Sequence, residues 1–277
     1  MKKMTTQDIQ AVSLEMMSDI HNFCINNDIK YSLAYGTLLG AIRHKGFIPW
    51  DEDVDIWMPR KDYEKFINLY KGPKEYLFTS YRSQGNFIDF ARLYETSKTL
   101  VYGLLADNTQ PTGVWIDIFP IDAIPDDEAQ QKKEYEEIRK TWKNIKRLRR
   151  FYRLKTADKI SLKKIAANIL YFLKTTINGS VFHLINYSNE LISRHAQEQT
   201  TLCASLMCRD AFKKNKIESF PREWFEKFQL APFEKYSFYI SEQYDNILSS
   251  IYGNYMELPP KEKQVPKQDD HDFLWKE

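Results

Sequence analysis

Hydrophobic and polar positions alternate along the chain with two different periods, and each period predicts one kind of element. Over residues 6–27, apolar side chains recur every three or four positions, which predicts a long amphipathic helix. A short strand is expected over 31–36, with a helix starting directly after Gly36. Alternation over 54–58 predicts a second strand, and Pro59 then opens another helix.

Further strand patterns follow in the first half of the chain. The segments EYLFTSY and FIDFARLY each predict a strand, and VWIDIFPID (114–122) predicts a strand that Pro120 closes. We expect Asp122 to cap the turn after this strand. Because helices and strands interleave over residues 1–125, the pattern predicts an α/β (α+β) fold with a mixed sheet core flanked by helices.

The middle of the chain has a different character. Residues 128–200 carry helical periodicity, and the segment RKTWKNIKRLRRFYRLK (139–155) contains nine Lys or Arg among 17 positions and no acidic residue. Trp142, Ile145 and Leu148 fall on one side, which predicts a basic amphipathic helix. Three interpretations of this helix remain open: an ordinary solvated face, an interfacial helix on an anionic membrane, or a cradle for a polyanionic acceptor.

Composition excludes several classes of protein. The chain has 277 residues, 43% of them hydrophobic, and a net charge of only +2, so it can bury a core and its overall charge predicts no nucleic-acid partner. Its three cysteines and five histidines show no zinc-ligand spacing. We see neither a signal peptide nor a run approaching the roughly 18–20 apolar residues that span a bilayer. The expected location is therefore cytoplasmic, with peripheral contact at the inner face of the cell membrane if the basic helix binds lipid.

Three acidic residues occupy strand-like positions among apolar neighbours. Asp53 and Asp55 are two positions apart and therefore project to the same face, and Asp117 lies in the similar context WIDIF. If the two strands are adjacent, the three carboxylates converge on one side of the sheet. Clusters of carboxylate oxygens suit Mg²⁺ or Mn²⁺, which hold substrate phosphates. We therefore predict that these three residues are catalytic and hold a metal ion.

A second group of residues suits an anionic ligand. Gly36 and Thr37 lie between the predicted strand and helix, where a glycine lets the backbone approach a phosphate and the helix N-terminus supplies N–H donors. Arg43, His44 and Lys45 lie between this turn and the carboxylates along the chain, where a phosphate donor needs cationic partners. We predict that all five residues contact the donor.

These motifs, taken together, resemble the nucleotidyltransferase superfamily pattern. The segment GTLLGAIRHKGFIPWDEDVDIWMPRKDYEKF resembles the signature of the LicD family, which is related to the fukutin-type transferases. The later segments WIDIFPIDAIP, FPREWF, LAPFEKY and YGNYMELPPKEK are similar to that family's later blocks. The resemblance implies a nucleotidyltransferase-like core over 1–125, a basic helical insertion over 126–215, and a C-terminal extension over 216–277. It also implies ligand contacts from Glu234 and His271.

The resemblance further implies a reaction. It is the Mg²⁺- or Mn²⁺-dependent transfer of phosphocholine, or a similar substituted phosphate, from CDP-choline or another CDP-alcohol. The acceptor would be a sugar hydroxyl of a cell-surface glycopolymer precursor such as teichoic acid or lipopolysaccharide, lipid-linked, and CMP would be released. Trp50 is expected to wall the site or stack on a base. Two alternatives stay open: a true nucleotidyltransferase acting on a small molecule, and a non-catalytic glycopolymer-binding protein.

Overall fold

The computed structural model describes residues 1–103, 112–155, 180–207, 216–266 and 271–277, with isolated positions between them. The helices are α1 (Thr6–Asn26), α2 (Tyr35–Arg43), α3 (Arg60–Leu69), α4 (Glu128–Lys155), α5 (Val181–Ser193) and α6 (Tyr244–Tyr252). The strands are β1 (Lys2–Lys3), β2 (Ser32–Leu33), β3 (Asp55–Pro59), β4 (Tyr76–Thr79), β5 (Ala91–Glu95), β6 (Thr99–Gly103), β7 (Trp115–Ile124), β8 (Leu202–Ala204), β9 (Phe212–Lys213), β10 (Lys216–Ile217), β11 (Phe220–Pro221), β12 (Phe228–Phe233), β13 (Tyr236–Ser241) and β14 (His271–Trp275). The predicted helical pattern over 156–179 lies almost entirely outside the described residues.

A seven-stranded mixed sheet forms the centre of the fold, which confirms the predicted α/β (α+β) class. Its main path runs in the order β11-β8-β7-β3-β2, and the β4–β5 pair joins it through β5, which also pairs with β7. Strand β7 is parallel to β3 and antiparallel to both β5 and β8. Since β7 pairs with three other strands, it is the strand around which the sheet is organised.

Strand β7 does not end at Pro120, so that prediction was wrong. Pro120 lies in mid-strand opposite Met58 of β3. The amide of Asp117 points to β3. Because backbone amides alternate in direction along a strand, the nitrogen of Pro120, three residues later, points to the other side of β7. On that side, β5 pairing ends at Ile118 and β8 pairing begins at Asp122. The missing N–H of proline therefore removes no ladder hydrogen bond.

Helix α1 covers the sheet and buries one continuous apolar stripe. It begins with a capping box in which Thr5 and Asp8 exchange side-chain and backbone hydrogen bonds. Its buried face includes Met16, Met17 and Ile20, each at most 1% exposed. Full burial of such side chains stabilises the fold by about 1.5–3 kcal/mol each. No helix within the described residues is both long enough and apolar enough to cross a membrane.

The C-terminal part of the chain folds back on the N-terminal part. Strand β14 pairs with β6 and with β1, and the β12–β13 hairpin lies next to β2, where the Ser241 amide donates to the Ser32 hydroxyl at 3.0 Å. Strands β8 and β11 extend the central sheet. Sequence patterning did not predict these pairings, and the three predicted regions 1–125, 126–215 and 216–277 all contribute to one sheet system.

A buried ion pair links α3 to the far end of β7. Asp122 is fully buried instead of capping a turn, so the expectation for this residue was wrong. Arg60 donates to both of its carboxylate oxygens at 2.6 and 2.7 Å, and also to Glu64 and Asn189 at 3.0 Å. Burial raises the pKa of Asp122, and the charge of Arg60 opposes that rise. One guanidinium thus connects α3, β7 and α5.

Removing one member of this pair should destabilise the protein strongly. Asp122→Ala leaves the buried Arg60 guanidinium without its main partner, so we expect the free energy of unfolding to fall by about 3–5 kcal/mol. Urea denaturation measures the change. The double variant Arg60→Met/Asp122→Leu removes both charges and should recover most of the loss. A loss below about 1 kcal/mol in Asp122→Ala, the value of an exposed pair, would contradict this account.

Candidate active site

A cavity of about 620 Å³ lies at the beginning of β3 and β7. We call it the β3–β7 cavity. Six of the residues predicted from the sequence line it: Gly36, Arg43, Trp50, Asp53, Asp55 and Asp117. The structure therefore brings the three predicted carboxylates and part of the predicted donor-binding group together in one place.

Strand pairing determines where the carboxylates lie. In the parallel β3–β7 ladder, Asp55 is the register partner of Asp117, and the Asp117 amide donates to the carbonyl of Val54 at 2.9 Å. Asp53 precedes β3 by two residues, and both Val54 and Ile56 are buried. The alternation of apolar and acidic residues thus anchors the backbone in the core while the carboxylates line the cavity.

A buried arginine that sequence analysis missed holds the third carboxylate. Arg92 on β5 is the register partner of Asp117, and its guanidinium donates to both carboxylate oxygens, with Nη2 at 2.9 Å from Oδ2. The same guanidinium carbon lies 4.6 Å from the centroid of the Trp115 ring and 5.4 and 5.7 Å from those of Phe90 and Tyr94. Burial lowers the pKa of Arg92, but the charge of Asp117, the interaction with Tyr94 and the hydrogen bonds to both side chains together outweigh burial and raise it. The signal in the sequence was a single arginine inside the apolar strand FIDFARLY.

The three carboxylates have the chemistry that a hard divalent cation requires of its ligands. All three predicted ligands are carboxylates, and a carboxylate has about four acceptor positions, so its pairing with Arg92 leaves Asp117 with acceptor capacity. Among the described residues, no three acidic, histidine or cysteine side chains are already gathered as a metal centre. The metal-binding role of Asp53, Asp55 and Asp117 therefore stays a prediction that the carboxylate chemistry supports.

Helix α2 begins at Tyr35, two residues earlier than predicted, so the expected Gly-Thr turn before the helix is wrong. Tyr35 has a φ of 43° and makes the turn itself, and Gly36 lies in the first helical turn. A Cβ on Gly36 would collide with the Asp51 carboxylate, which explains the glycine. The Thr37 hydroxyl accepts from the Asp55 amide at 3.0 Å. This hydrogen bond fixes the start of β3 against α2.

The predicted cationic trio divides into two parts. Arg43 lines the cavity, and its Nη1 donates to the carbonyls of Tyr255 and Glu257 at 2.9 and 3.2 Å. His44 and Lys45 are not among the lining residues. Partial burial, with a smaller contribution from Arg43, lowers the pKa of His44. The donor contacts predicted for His44 and Lys45 thus stay predictions.

Glu234 and His271 lie outside the cavity lining. The Glu234 carboxylate accepts from the Phe47 amide at 3.1 Å, and its own amide donates to the Lys45 carbonyl at 2.7 Å. The His271 ring lies 5.1 Å from that of Trp115, a cavity-lining residue. In this structure both side chains support elements that form the cavity, and their predicted ligand contacts remain untested.

The basic helix α4 reaches the neighbourhood of the same strands. Its inner face is buried at Tyr135, Ile138, Ile145 and Leu148. The charge of Arg149 opposes the rise in the pKa of Tyr94 that burial causes. Tyr94 lies on β5, two residues from Arg92. One end of the basic segment therefore lies near the β3–β7 cavity, while its other side faces solvent.

Comparisons with known proteins identify relatives of this chain. Residues 28–152 match the family described as LicD/FKTN/FKRP, nucleotidyltransferase domain. The chain is 28% identical over 281 residues to the lipopolysaccharide cholinephosphotransferase LicD of Haemophilus influenzae, an alignment covering 96% of this chain and 97% of that protein. An uncharacterised protein of Rickettsia prowazekii is 35% identical over 98 residues, which cover 35% of this chain and 34% of that protein. The segment 28–152 therefore matches the LicD-type nucleotidyltransferase domain, and the matched segment contains Asp53, Asp55, Arg92 and Asp117.

Proposed function

We propose that this protein transfers phosphocholine from CDP-choline to a sugar hydroxyl of a cell-surface glycopolymer precursor and releases CMP. One observation carries the proposal: Asp53, Asp55 and Asp117 line the same cavity, with the last two as register partners on parallel strands. The full-length similarity to a lipopolysaccharide cholinephosphotransferase supports both the transferred group and the glycan acceptor. A lipopolysaccharide or teichoic acid precursor is the acceptor class that we propose.

In the proposed reaction, the sugar hydroxyl oxygen attacks the phosphorus that carries choline, and the bond from that phosphorus to the bridging oxygen breaks. CMP leaves with that oxygen, and the hydroxyl proton passes to solvent. Asp53, Asp55 and Asp117 would hold Mg²⁺, which would neutralise the charge of the donor phosphates when bound. The first turn of α2 lies at the cavity, where Gly36 is part of the lining and the Asp51 carboxylate lies beside it. Phosphoryl transfer depends mainly on positioning and on stabilisation of charge.

The pairing of Arg92 with Asp117 decides between two roles for this carboxylate. A guanidinium that donates to both oxygens stabilises the negative charge of the carboxylate and fixes its orientation. Such a carboxylate is suited to holding a cation and poorly suited to accepting a proton. Since a loose phosphoryl transition state needs little help from a strong base, we assign Asp117 the cation-holding role.

Product analysis tests the proposed function. Purified protein is incubated with Mg²⁺ and a panel of CDP-alcohols, and CMP release is measured with and without lipopolysaccharide or teichoic acid precursors. The proposal expects acceptor-dependent CMP release from CDP-choline and an acceptor heavier by one phosphocholine. An acceptor that carries the nucleotide itself would instead identify a true nucleotidyltransferase. Absence of turnover and of nucleotide binding would identify a non-catalytic protein.

Substitution of Asp53 or Asp55 should abolish most of the turnover without unfolding the protein. Asp53→Asn and Asp55→Asn each keep the shape of the side chain and remove one charge, so we expect kcat to fall by about 10³-fold. Mg²⁺ should raise the melting temperature of the wild type more than that of either variant, because a ligand stabilises only the state that binds it. Near-normal activity in both variants would show that the site is elsewhere.

Substitution of Arg92 should lower kcat more than it changes KM. Arg92→Met removes the group that orients Asp117, and misplacement of a carboxylate in the site is expected to lower kcat by about 10²-fold. Arg92→Lys keeps the charge but loses the two-pronged geometry, so its activity should lie between those of the wild type and Arg92→Met. Steady-state kinetics with CDP-choline, on variants shown to be folded by circular dichroism, give both constants. Unchanged kcat in Arg92→Met would contradict the assigned role.

We also propose peripheral binding of α4 to the inner face of the cell membrane. Its solvent side carries exposed basic residues: Lys132, Lys133, Arg139, Lys140, Lys143, Lys146 and Arg147. Near an anionic surface, each such residue contributes about 1 kcal/mol, and salt screens this attraction. A lipid-linked acceptor would be presented at the same surface.

Vesicle sedimentation tests this location. The wild type should sediment with phosphatidylglycerol vesicles at low salt and dissociate as ionic strength rises. The triple variant Lys140→Gln/Lys143→Gln/Arg147→Gln should bind about 10²-fold more weakly, at roughly 1 kcal/mol for each charge. The rate at which this variant transfers phosphocholine to a soluble sugar acceptor should be unchanged. No sedimentation of the wild type at any salt concentration would leave α4 with an ordinary solvated face.

A further inference from the structure

The β3–β7 cavity has aromatic residues in its lining besides its carboxylates. Trp50 enters from the segment before β3, whereas Tyr252 and Tyr255 come from the end of α6 and the chain that follows. We call these three residues the aromatic wall. The Tyr252 ring is 42% exposed, and both Trp50 and Tyr255 are partly buried against the hydrophobic core. Three aromatic side chains from two parts of the chain thus line one cavity.

The fold holds the aromatic wall in place. Arg43 of α2 binds the backbone carbonyls of Tyr255 and Glu257, which ties the segment after α6 to the helix that begins at the cavity. The Tyr255 hydroxyl donates to the Asp245 carboxylate at 2.5 Å. The ring of Trp50 meets that of His44 edge to face, with 6.2 Å between centroids. Because other contacts fix Trp50 and Tyr255, a ligand would lose little affinity in ordering these two side chains.

The charge of the cavity favours a cationic ligand group. Its described lining contains two guanidinium groups, Arg43 and Arg92, against six carboxylates: Asp51, Asp53, Asp55, Asp117, Glu218 and Glu257. Arg92 pairs with Asp117, and under the proposed function a divalent cation is held by the β3–β7 carboxylates. Asp51, Glu218 and Glu257 are the other carboxylates of the lining, and Glu257 lies two residues beyond Tyr255.

Aromatic faces combined with negative charge select one kind of head group. A quaternary ammonium cannot donate hydrogen bonds, is weakly hydrated and is attracted to the faces of Trp and Tyr rings. A polyol head group such as glycerol or ribitol instead needs directional hydrogen-bond partners, because its buried hydroxyls otherwise lose water without compensation. We propose that the aromatic wall, with Glu257 nearby, binds the trimethylammonium group of the donor. This assignment rests on the proposed function and names the residues that select choline.

A pair of donors of nearly equal shape tests the proposal. CDP-choline is compared with CDP-3,3-dimethylbutanol, in which a carbon atom replaces the charged nitrogen. Affinities are measured by calorimetry with Mg²⁺ present, and CMP serves as the control ligand that lacks the head group. The wild type should prefer CDP-choline by about tenfold or more, the size expected for a desolvated cation on aromatic rings.

Matched variants locate the preference. Trp50→Leu and Tyr252→Leu keep an apolar side chain without a π face, and each should reduce the preference to about threefold or less. Tyr252→Phe retains the aromatic ring and should therefore keep the preference for CDP-choline. Affinity for CMP should be unchanged in both Tyr252 variants, which shows that they are folded and bind nucleotide, and circular dichroism checks the fold of Trp50→Leu.

The outcomes separate this inference from the proposed function. Equal wild-type affinity for the two donors overturns the aromatic wall as a cation site. A preference for CDP-choline that persists in both leucine variants also overturns it, while leaving phosphocholine transfer intact. If the wild type binds and transfers from CDP-glycerol or CDP-ribitol in preference to CDP-choline, the proposed function fails together with this subsite.

Discussion

The parallel pairing of β3 with β7 is the constraint on which the rest of this structure depends. It places Asp55 and Asp117 at the same level of the ladder, although 62 positions separate them in the chain. Carboxylates so close to a hydrophobic core are costly unless cations compensate them. Arg92 provides one cation from the neighbouring strand β5, and under the proposed function a divalent metal ion would provide another.

Strand β7 carries two buried arginine–aspartate pairs, one towards each end. Arg92 holds Asp117 at the cavity, and Arg60 holds Asp122 five residues later, on the opposite face of the strand. The second pair connects α3, β7 and α5 at a distance from the proposed chemistry. The first pair differs because Asp117 also lines a cavity, where a ligand can approach it. The same kind of contact therefore stabilises the scaffold in one place and orients a functional group in the other.

Local pattern in the sequence was enough to predict the elements near the site. The alternation around Asp53 and Asp55 and the context of Asp117 predicted two strands with outward carboxylates, and the structure makes those strands neighbours. The role of Pro120 could not be predicted, since it depends on where β5 stops and β8 starts. Arg92 was missed because its partner is 25 residues away.

Long-range contacts also explain the other features that the sequence did not predict. Tyr252 and Tyr255 line the cavity because the C-terminal segment folds back over α2, and a single sequence carries no periodicity that reports such a contact. Glu234 and His271 were expected to contact a ligand from resemblance alone, and the structure places both behind elements that form the cavity. Helix α4 was recognised as basic and amphipathic, yet its approach to β5 near Arg149 follows only from tertiary packing.

The most direct test of the account is a titration with Mn²⁺ followed by electron paramagnetic resonance in the presence of CDP-choline. The account predicts one tight site in the wild type, with affinity at least tenfold weaker in Asp55→Asn and in Asp117→Asn, because each variant removes one anionic ligand, a loss of about 1.4 kcal/mol or more. The variant Glu136→Gln, altered at an exposed position of α4, should bind Mn²⁺ as the wild type does. Equal Mn²⁺ affinity in the wild type and both aspartate variants would contradict the claim that the paired strands β3 and β7 form the cation site.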